Sequence, residues 1–479
     1  MARSGPIPSI ADEFSGAELG DARLTARLLK VAEAIAGAPS ESFPQLVDSD
    51  SELEGVYRFL SNERVSPEGI LEPHIVATRR RAQEAAVLAI HDTTEFKFGG
   101  WVQREGLGPL RRTGGAQGFF GHFALGIEGD GARRPLGLLG LKTIVRKGEP
   151  LGRHVTGPAR TMRDNKESDR WADLALAVHR DVPTALHVMD READSFDIFA
   201  KLVTAGARFV IRTREGRVRI AEDKNGNRVH LTDVVARRRV MLTRTVALSR
   251  RLPTVRNYAS DTFPARAERR AKLEVRSASV KIPRPYYHPH VDRLPESLNL
   301  NIVLVREVDP PRGVAPVSWL LTTTEPVSAS ADVERVVDAY RARWVIEEFF
   351  KALKTGCAYE RRQLESFRAL VNALAVFAVI AWRLLLLRYT AHRTPDAAAA
   401  EVLTAEQLRL LRSLSQTREP GVPDVRLPKK PTAGDALLAV AKLGGHIKNN
   451  GPPGWQVLGR GYDALLLIQT GWRARDREM

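Results

Sequence analysis

TALHVMDREADSFDIFAKLVTAGARFVIRTR, residues 184–214, holds a short apolar run that stops at an acid, a helical stretch, and a second apolar run. ALHVM reads as a buried strand with Asp190 at its carboxyl end, the place where polar chemistry gathers in α/β sheets. SFDIFAKLVTAG reads as a helix stopped by Gly206, and ARFVIRTR as the next strand. On the N-terminal side, SDRWADLALAVHR (168–180) is helical in period. AVLAIHDTTEF (86–96) is another apolar run, which the reading ends at Asp92. GHFALGIEGD (121–130) and RPLGLLGLKTI (134–144) follow, joined by turn residues, and suggest a three-stranded meander. The order βββαβαβ predicts an α/β domain around one sheet.

Residues 214–323 break that alternation. Asn225-Gly226 sits between alternating segments as a hairpin signal. VMLTRTVALS, KLEVRSASVKI, LNIVLVREV and VSWLLTTT continue the β habit, so this stretch reads as a β-rich insertion. Residues 237–276 hold twelve Arg/Lys against three Asp/Glu. ADVERVVDAYRARWVIEEFFKALKTG (331–356) then reads as one long helix ended by Gly356. Before all this, LGDARLTARLLKVAEAIAGAP (19–39) predicts a helix capped by Asp21 and stopped by Gly37 and Pro39, and ELEGVYRFLSN (52–62) predicts a second. Residues 391–479 are mostly helical again. The resulting division is a helical region 1–68, an α/β region 69–390 with the insertion at about 214–323, and a helical region 391–479.

The 479 residues suit roughly three domains at about 150 residues each. With 43% hydrophobic residues, the chain is no disordered polyelectrolyte. One cysteine, Cys357, excludes a disulfide framework and a zinc ribbon, and fits a reducing compartment. The first residues lack the apolar stretch of a signal peptide. LVNALAVFAVIAWRLLLL (370–387) is long enough to span a bilayer, yet it carries Asn372 and Arg383, a mid-membrane arginine costs at least about 2.5 kcal/mol, and charged helical sequence continues from both ends, so it reads as a buried core helix. A formal charge of +16 calls for an anionic partner, and nucleic acid is the commonest. Arg23, Arg27, Lys30 and Arg58 on the N-terminal helices suit either a DNA-binding unit or solvated helix faces.

Asp92 and Asp190 are read as acids ending neighbouring strands, a costly position unless cations or hydrogen bonds compensate. Along the predicted long helix, Tyr340, Arg343, Glu347 and Lys354 are spaced by 3, 4 and 7 residues and share one face. Three hard carboxylates with an adjacent base and phenol match what two-metal phosphoryl transfer requires. Arg343, Lys354 and the Tyr340 hydroxyl would then hold a phosphodiester backbone. Glu192 and Asp194 are weaker candidates, read as capping or salt-bridging groups around the helix start; Glu348 points off the shared face; His91 reads as a core or hydrogen-bonded residue.

HDTT (91–94), DREAD (190–194) and YRARWVIEEFFKALKTG (340–356) together resemble the DDE transposases of the bacterial insertion-sequence-four family; the last matches its Tyr-x2-Arg-x3-Glu-x6-Lys signature in full. The resemblance runs nearly end to end, through LGDARLTARL, GVYRFLSN, VSWLLTTTEPV and AKLGGHIK. It implies a ribonuclease-H-like catalytic core with a β-rich insertion, flanked by an N-terminal DNA-binding domain and a C-terminal dimerisation domain. It implies Asp92, Asp190 and Glu347 as metal-binding catalytic acids, with Mg²⁺ as cofactor and Mn²⁺ able to substitute. Tyr340, Arg343 and Lys354 are implied contacts to the transposon end, and Trp319 an implied stacking platform for a flipped base. Arg27, Arg58 and Arg212 are further basic residues expected at the DNA. The implied partners are double-stranded DNA, as transposon ends and target, and a second copy of the chain; no membrane is expected, and the location is cytoplasmic. Val345 and Phe350 differ from one member of that family, which has a basic residue and a histidine at these places; the difference leaves the catalytic set intact and bears on neighbouring DNA contacts. A nuclease that cuts without joining, and a non-catalytic DNA-binding relic, are the rival readings.

Overall fold

The computed structural model describes residues 8–83, 85–99, 103–110, 116–131, 133–146, 168–215, 220–222, 226–248, 250, 254–255, 262–263, 266–285, 293–416, 425–447 and 453–478. The fold is mixed α/β, and the chain forms two compact units: Met1–His154 with Trp344–Met479, and Val155–Arg343. The expected hairpin tip at Asn225 lies outside the described residues, as do residues 419–424 of a Pro/Lys-rich linker that the sequence suggests near 419–432.

In the first unit, helices α1 (Ile10–Phe14), α2 (Ala22–Gly37), α3 (Asp50–Ser61) and α4 (Pro67–Gln83) precede the strands. Asp21 caps α2 as expected, accepting the Arg23 N–H at 2.8 Å. Helix α4 was not anticipated: it contains Pro73 and ends in a basic run, both of which hide its period. Strand β1 (Val87–Phe98) pairs antiparallel with β3 (Gln117–Glu128), which on its other side takes β2 (Gly108–Pro109) and β4 (Pro135–Ile144). The meander expected from sequence is therefore present.

The strand reading was too short at one point. β1 does not end at Asp92; that residue lies in its interior, opposite Phe123. DTTEFKF continues the strand because Phe96 and Phe98 turn inward, at 0% and 1% exposure, against Phe119. Period-two burial outlasted the apolar run.

The same unit ends in helices α9 (Trp344–Lys351), α10 (Phe367–Arg393), α11 (Ala405–Gln416), α12 (Ala433–Leu443) and α13 (Trp455–Glu478) when α5–α8 are assigned to the second unit. Helix α10 is the one helix among the described residues long and apolar enough to cross a membrane, and 94% of its apolar window is buried. Its Asn372 donates to the Leu60 and Val65 carbonyls, so the buried amide is accommodated inside protein. Between α12 and α13, Gly461 allows so close an approach that a methyl there would fall 1.8 Å from the Val440 carbonyl oxygen.

The second unit is built on β5 (Leu186–Met189) and β6 (Arg208–Thr213), which are parallel, followed by antiparallel β14 (Ser318–Thr323), β13 (Ser297–Val308) and β12 (Arg269–Pro283). β12 also pairs with β7 (Ile220–Glu222) and β9 (Val240–Leu248), and β7 with β8 (Arg228–His230). Gly226, at φ +78°, supports the expected hairpin. A short pair, β10 (Thr254–Val255) with β11 (Thr262–Phe263), completes the strands. Helices α5 (Asp169–Asp181), α6 (Phe196–Thr204) and α7 (Leu231–Ala236) cover a core that includes Trp171, Phe199, Phe209, Ile302 and Leu320. Helix α8 (Ser330–Ala342) packs on β6, β9 and β13.

The long helix expected over 331–356 is three pieces. It is interrupted at Arg343, whose N–H bonds to the Tyr340 carbonyl at 3.1 Å, a tightened i→i−3 turn. After α9 comes a π-helical stretch, Ala352–Gly356. The single polar arc through Tyr340, Arg343, Glu347 and Lys354 is corrected accordingly, because a tightened turn and a widened one both shift helical phase. Trp344, the first residue of α9, is 59% exposed.

Candidate active site

The expected site residues fall into two groups by compact unit. Asp190, Arg212, Trp319, Tyr340 and Arg343 belong to the second unit; Asp92, Glu347 and Lys354 belong to the first.

In the second unit, Asp190 stands at the carboxyl end of β5, as the sequence predicts. Its Oδ1 accepts the Glu192 N–H at 2.7 Å and so starts the 3₁₀ turn Arg191–Ala193. Tyr340 is buried on α8, and its ring meets Trp319 on β14 edge to face, with centroids 5.6 Å apart. Burial pushes the Tyr340 phenol above its usual pKa, while the nearby Arg212 and Arg343 charges pull it back. Arg212 is half-buried on β6 and donates to the Ser318 carbonyl at 3.4 Å. Thus Arg212, Trp319 and Tyr340, singled out separately in the sequence, form one contact group. Glu192 pairs with Arg170 at 2.7 Å, and Asp194 accepts the Arg214 N–H at 3.0 Å, both in the supporting roles expected of them.

In the first unit, Asp92 is half-buried and its Oδ1 accepts the Thr93 N–H at 2.8 Å. The Thr93 hydroxyl in turn meets His122 Nδ1 at 2.9 Å. His91, fully buried on the other face of β1, is held neutral: burial lowers its pKa well below 6.5, and neighbouring His122 lowers it further. Glu347 is half-buried in the first turn of α9. Next to it, Glu348 turns elsewhere, accepting from Lys351 at 2.8 Å, from Trp455 Nε1 at 3.2 Å, and from Arg388.

Lys354 lies in the π stretch. Its Nζ donates to the Glu95 carbonyl, lies 3.7 Å from the Glu360 carboxylate, and sits 5.3 Å from the centre of the Phe96 ring. Glu95 and Glu360 were not singled out from sequence. Phe350 is buried and packs edge-on to Phe123 at 5.6 Å. On the N-terminal helices, Arg27 lies over α3: a methyl at Gly55 would come within 2.9 Å of its Nη1. Arg58 is exposed and 3.6 Å from Glu54.

Among the described residues no group of three or more His, Cys, Asp or Glu side chains is gathered so as to hold a metal ion. The donor chemistry of Asp92, Asp190 and Glu347 nevertheless suits a hard divalent cation, since all three are carboxylates.

Residues 9–65 match the family model described as transposase DNA-binding, and residues 149–383 match the one described as transposase DDE domain. The two domains together support a DDE transposase. The DDE match contains Asp190, Trp319, Tyr340, Arg343, Glu347 and Lys354, whereas Asp92 lies ahead of it. The DNA-binding match contains Arg27 and Arg58. DDE transposase domains depend on divalent metal, and DNA is the partner both domains serve.

Proposed function

We propose that the chain is a cut-and-paste DNA transposase of the insertion-sequence-four family, near the transposase of transposon five, with a ribonuclease-H-like catalytic core. It cleaves transposon ends through a hairpin intermediate and joins them to target DNA. The observation that carries this reading is the complete Tyr340-x2-Arg343-x3-Glu347-x6-Lys354 pattern lying with Asp190 inside a matched DDE domain.

Asp92, Asp190 and Glu347 are the residues that would hold Mg²⁺, with Mn²⁺ able to replace it. The bound ions supply an activated nucleophile and stabilise the attacking and leaving oxygens of an in-line displacement. Tyr340, Arg343 and Lys354 bind phosphates of the end, Arg giving a planar fork and Lys a point charge. Trp319 offers a ring on which a base drawn out of the duplex stacks, a contact worth about 1–3 kcal/mol. Arg27, Arg58 and Arg212 supply further charge to the DNA. The working form is a homodimer on paired ends, with much of the dimer contact from the helical C-terminal region, and the protein acts in the cytoplasm on nucleoid DNA, without a membrane.

The test is cleavage of a plasmid carrying the element's own ends, in Mg²⁺ or EDTA, by wild type and Glu347→Ala. Metal-dependent excision with hairpin ends, absent in the variant while end binding persists, is expected. Binding without cleavage by wild type across Mg²⁺ and Mn²⁺ would instead favour a DNA-binding relic, and cleavage without strand-transfer products a nuclease.

A further inference from the structure

The backbone around Lys354 takes an unusual course. The π stretch Ala352–Gly356 closes with the Cys357 N–H on the Ala352 carbonyl at 2.8 Å. π turns of this kind are frequent at functional sites. Directly after it, Ala358 adopts φ +48°, ψ +36°, a left-handed conformation that costs a non-glycine residue about 1–2 kcal/mol. Such strain persists only where the surroundings over-determine it.

They do so here. The buried Tyr359 ring packs edge-on to Phe96 at 5.0 Å and Phe98 at 5.8 Å, and its hydroxyl donates to the Leu370 carbonyl at 2.7 Å. Arg104 donates to the Arg362 and Leu364 carbonyls at 3.1 and 3.0 Å. The left-handed residue therefore turns the chain back so that Glu360, six positions after Lys354, faces the same part of β1. There Glu360 Oε1 accepts the Lys97 N–H at 2.8 Å while standing 3.7 Å from Lys354 Nζ.

We propose that Glu360 is a positioning residue for Lys354: anchored on the Lys97 N–H, it holds the lysine ammonium over Phe96, ready to meet a phosphate of the transposon end. The inference rests on Lys354 being an end-phosphate contact. An unanchored surface ion pair contributes little, because both side chains must be ordered to form it. Here the backbone has already fixed the carboxylate. A lysine side chain loses rotamer freedom when it is held, and ordering it before DNA arrives removes part of that penalty from binding. The carboxylate also helps keep the ammonium charged: burial lowers the Lys354 pKa, and Glu360 foremost, with Glu95 and Glu347, acts against it.

The experiment is end binding by the full chain in EDTA, read by fluorescence anisotropy with a labelled duplex of the element's end, from pH 7 to pH 10. Glu360→Gln keeps an acceptor for Lys97 but removes the charge. It is expected to weaken binding about tenfold, the size of one charge-assisted contact, and to move the alkaline loss of affinity to lower pH. In a Lys354→Arg background, where the cation stays charged throughout, the pH shift is expected to vanish. An equal, pH-independent loss in both backgrounds would reduce Glu360 to fold support and overturn the proposal. So would Glu360→Gln binding like wild type while Lys354→Ala binds weakly. Lys354→Ala binding like wild type would instead remove Lys354 from the end contacts, and the proposal with it.

Discussion

The ring of Trp319 meets that of Tyr340 at 64° with centroids 5.6 Å apart, and of the two only Trp319 is accessible. Tyr340 backs the indole as Arg212 backs the phenol, so a base stacking on Trp319 meets a ring already fixed in orientation. Trp319→Ala is expected to slow end cleavage about 10- to 100-fold, the equivalent of one lost stack. Trp319→Tyr should recover most of that. Single-turnover cleavage of pre-formed complexes measures it, and an alanine variant cleaving at the wild-type rate would exclude the stacking role.

Adjacent glutamates on α9 should separate chemistry from stability. Glu348 joins α9 to Arg388 of α10 and Trp455 of α13; burial raises its pKa, but Lys351 and Arg388 outweigh that and hold it below the usual range. Glu348→Gln weakens charge-assisted bonds and is expected to cost about 1.5–3 kcal/mol in urea unfolding, with cleavage per folded molecule nearly unchanged. Glu347→Gln should do the converse, abolishing cleavage with little change in stability. Matching stability losses in the two variants would contradict the assignment of roles.

What the sequence revealed depended on the kind of signal each element carries. Asp190 was placed correctly because ALHVM ends where β5 ends. Asp92 was misplaced because the apolar run stops at His91 while alternate burial continues to Phe98. The interruption at Arg343 left no mark, since no glycine or proline causes it; the surrounding residues keep helical spacing through a tightened turn. The partnership of Lys354 with Glu360 was invisible for a related reason. It depends on a left-handed backbone at Ala358, and alanine has no preference that would announce one.

Acid sensitivity should centre on Glu13, which is 1% exposed beneath His74 and Arg81. Burial raises its pKa, but hydrogen bonds from His74 and Arg81, together with the Arg81 charge, prevail and hold it at about 2, against 4.5 in the unfolded chain. Its contribution is therefore complete above pH 4.5 and lost as pH falls toward 2. His74 acts in the same direction. Its Nε2 accepts the Leu138 N–H at 2.9 Å and burial lowers its pKa, so unfolding takes up a proton below about pH 6.5 and stability declines with acid from there. Glu13→Gln is expected to lose roughly 3 kcal/mol at pH 7, with the gap to wild type narrowing below pH 4.5. Urea unfolding across pH 3–8 would show it, and a gap that widened in acid would refute the sign.

Arg362 ties the segment carrying Lys354 to the matched DNA-binding region. It is 3% exposed, donates to the carbonyls of Pro39 and Cys357 at 2.7 Å each and to that of Glu41, and lies 4.6 Å from the Phe377 ring centre. Lysine has no planar fork to serve three carbonyls at once, so Arg362→Lys should leave at least one of them unsatisfied at a cost of about 1–3 kcal/mol. Because one guanidinium serves both sides, amide exchange protection is expected to fall together at residues 39–45 and 357–364. Loss confined to one of those stretches would show that they are held independently. A paired loss, accompanied by weaker end binding in the lysine variant, would show that Arg362 makes the DNA-binding region and the Lys354 turn respond as one element.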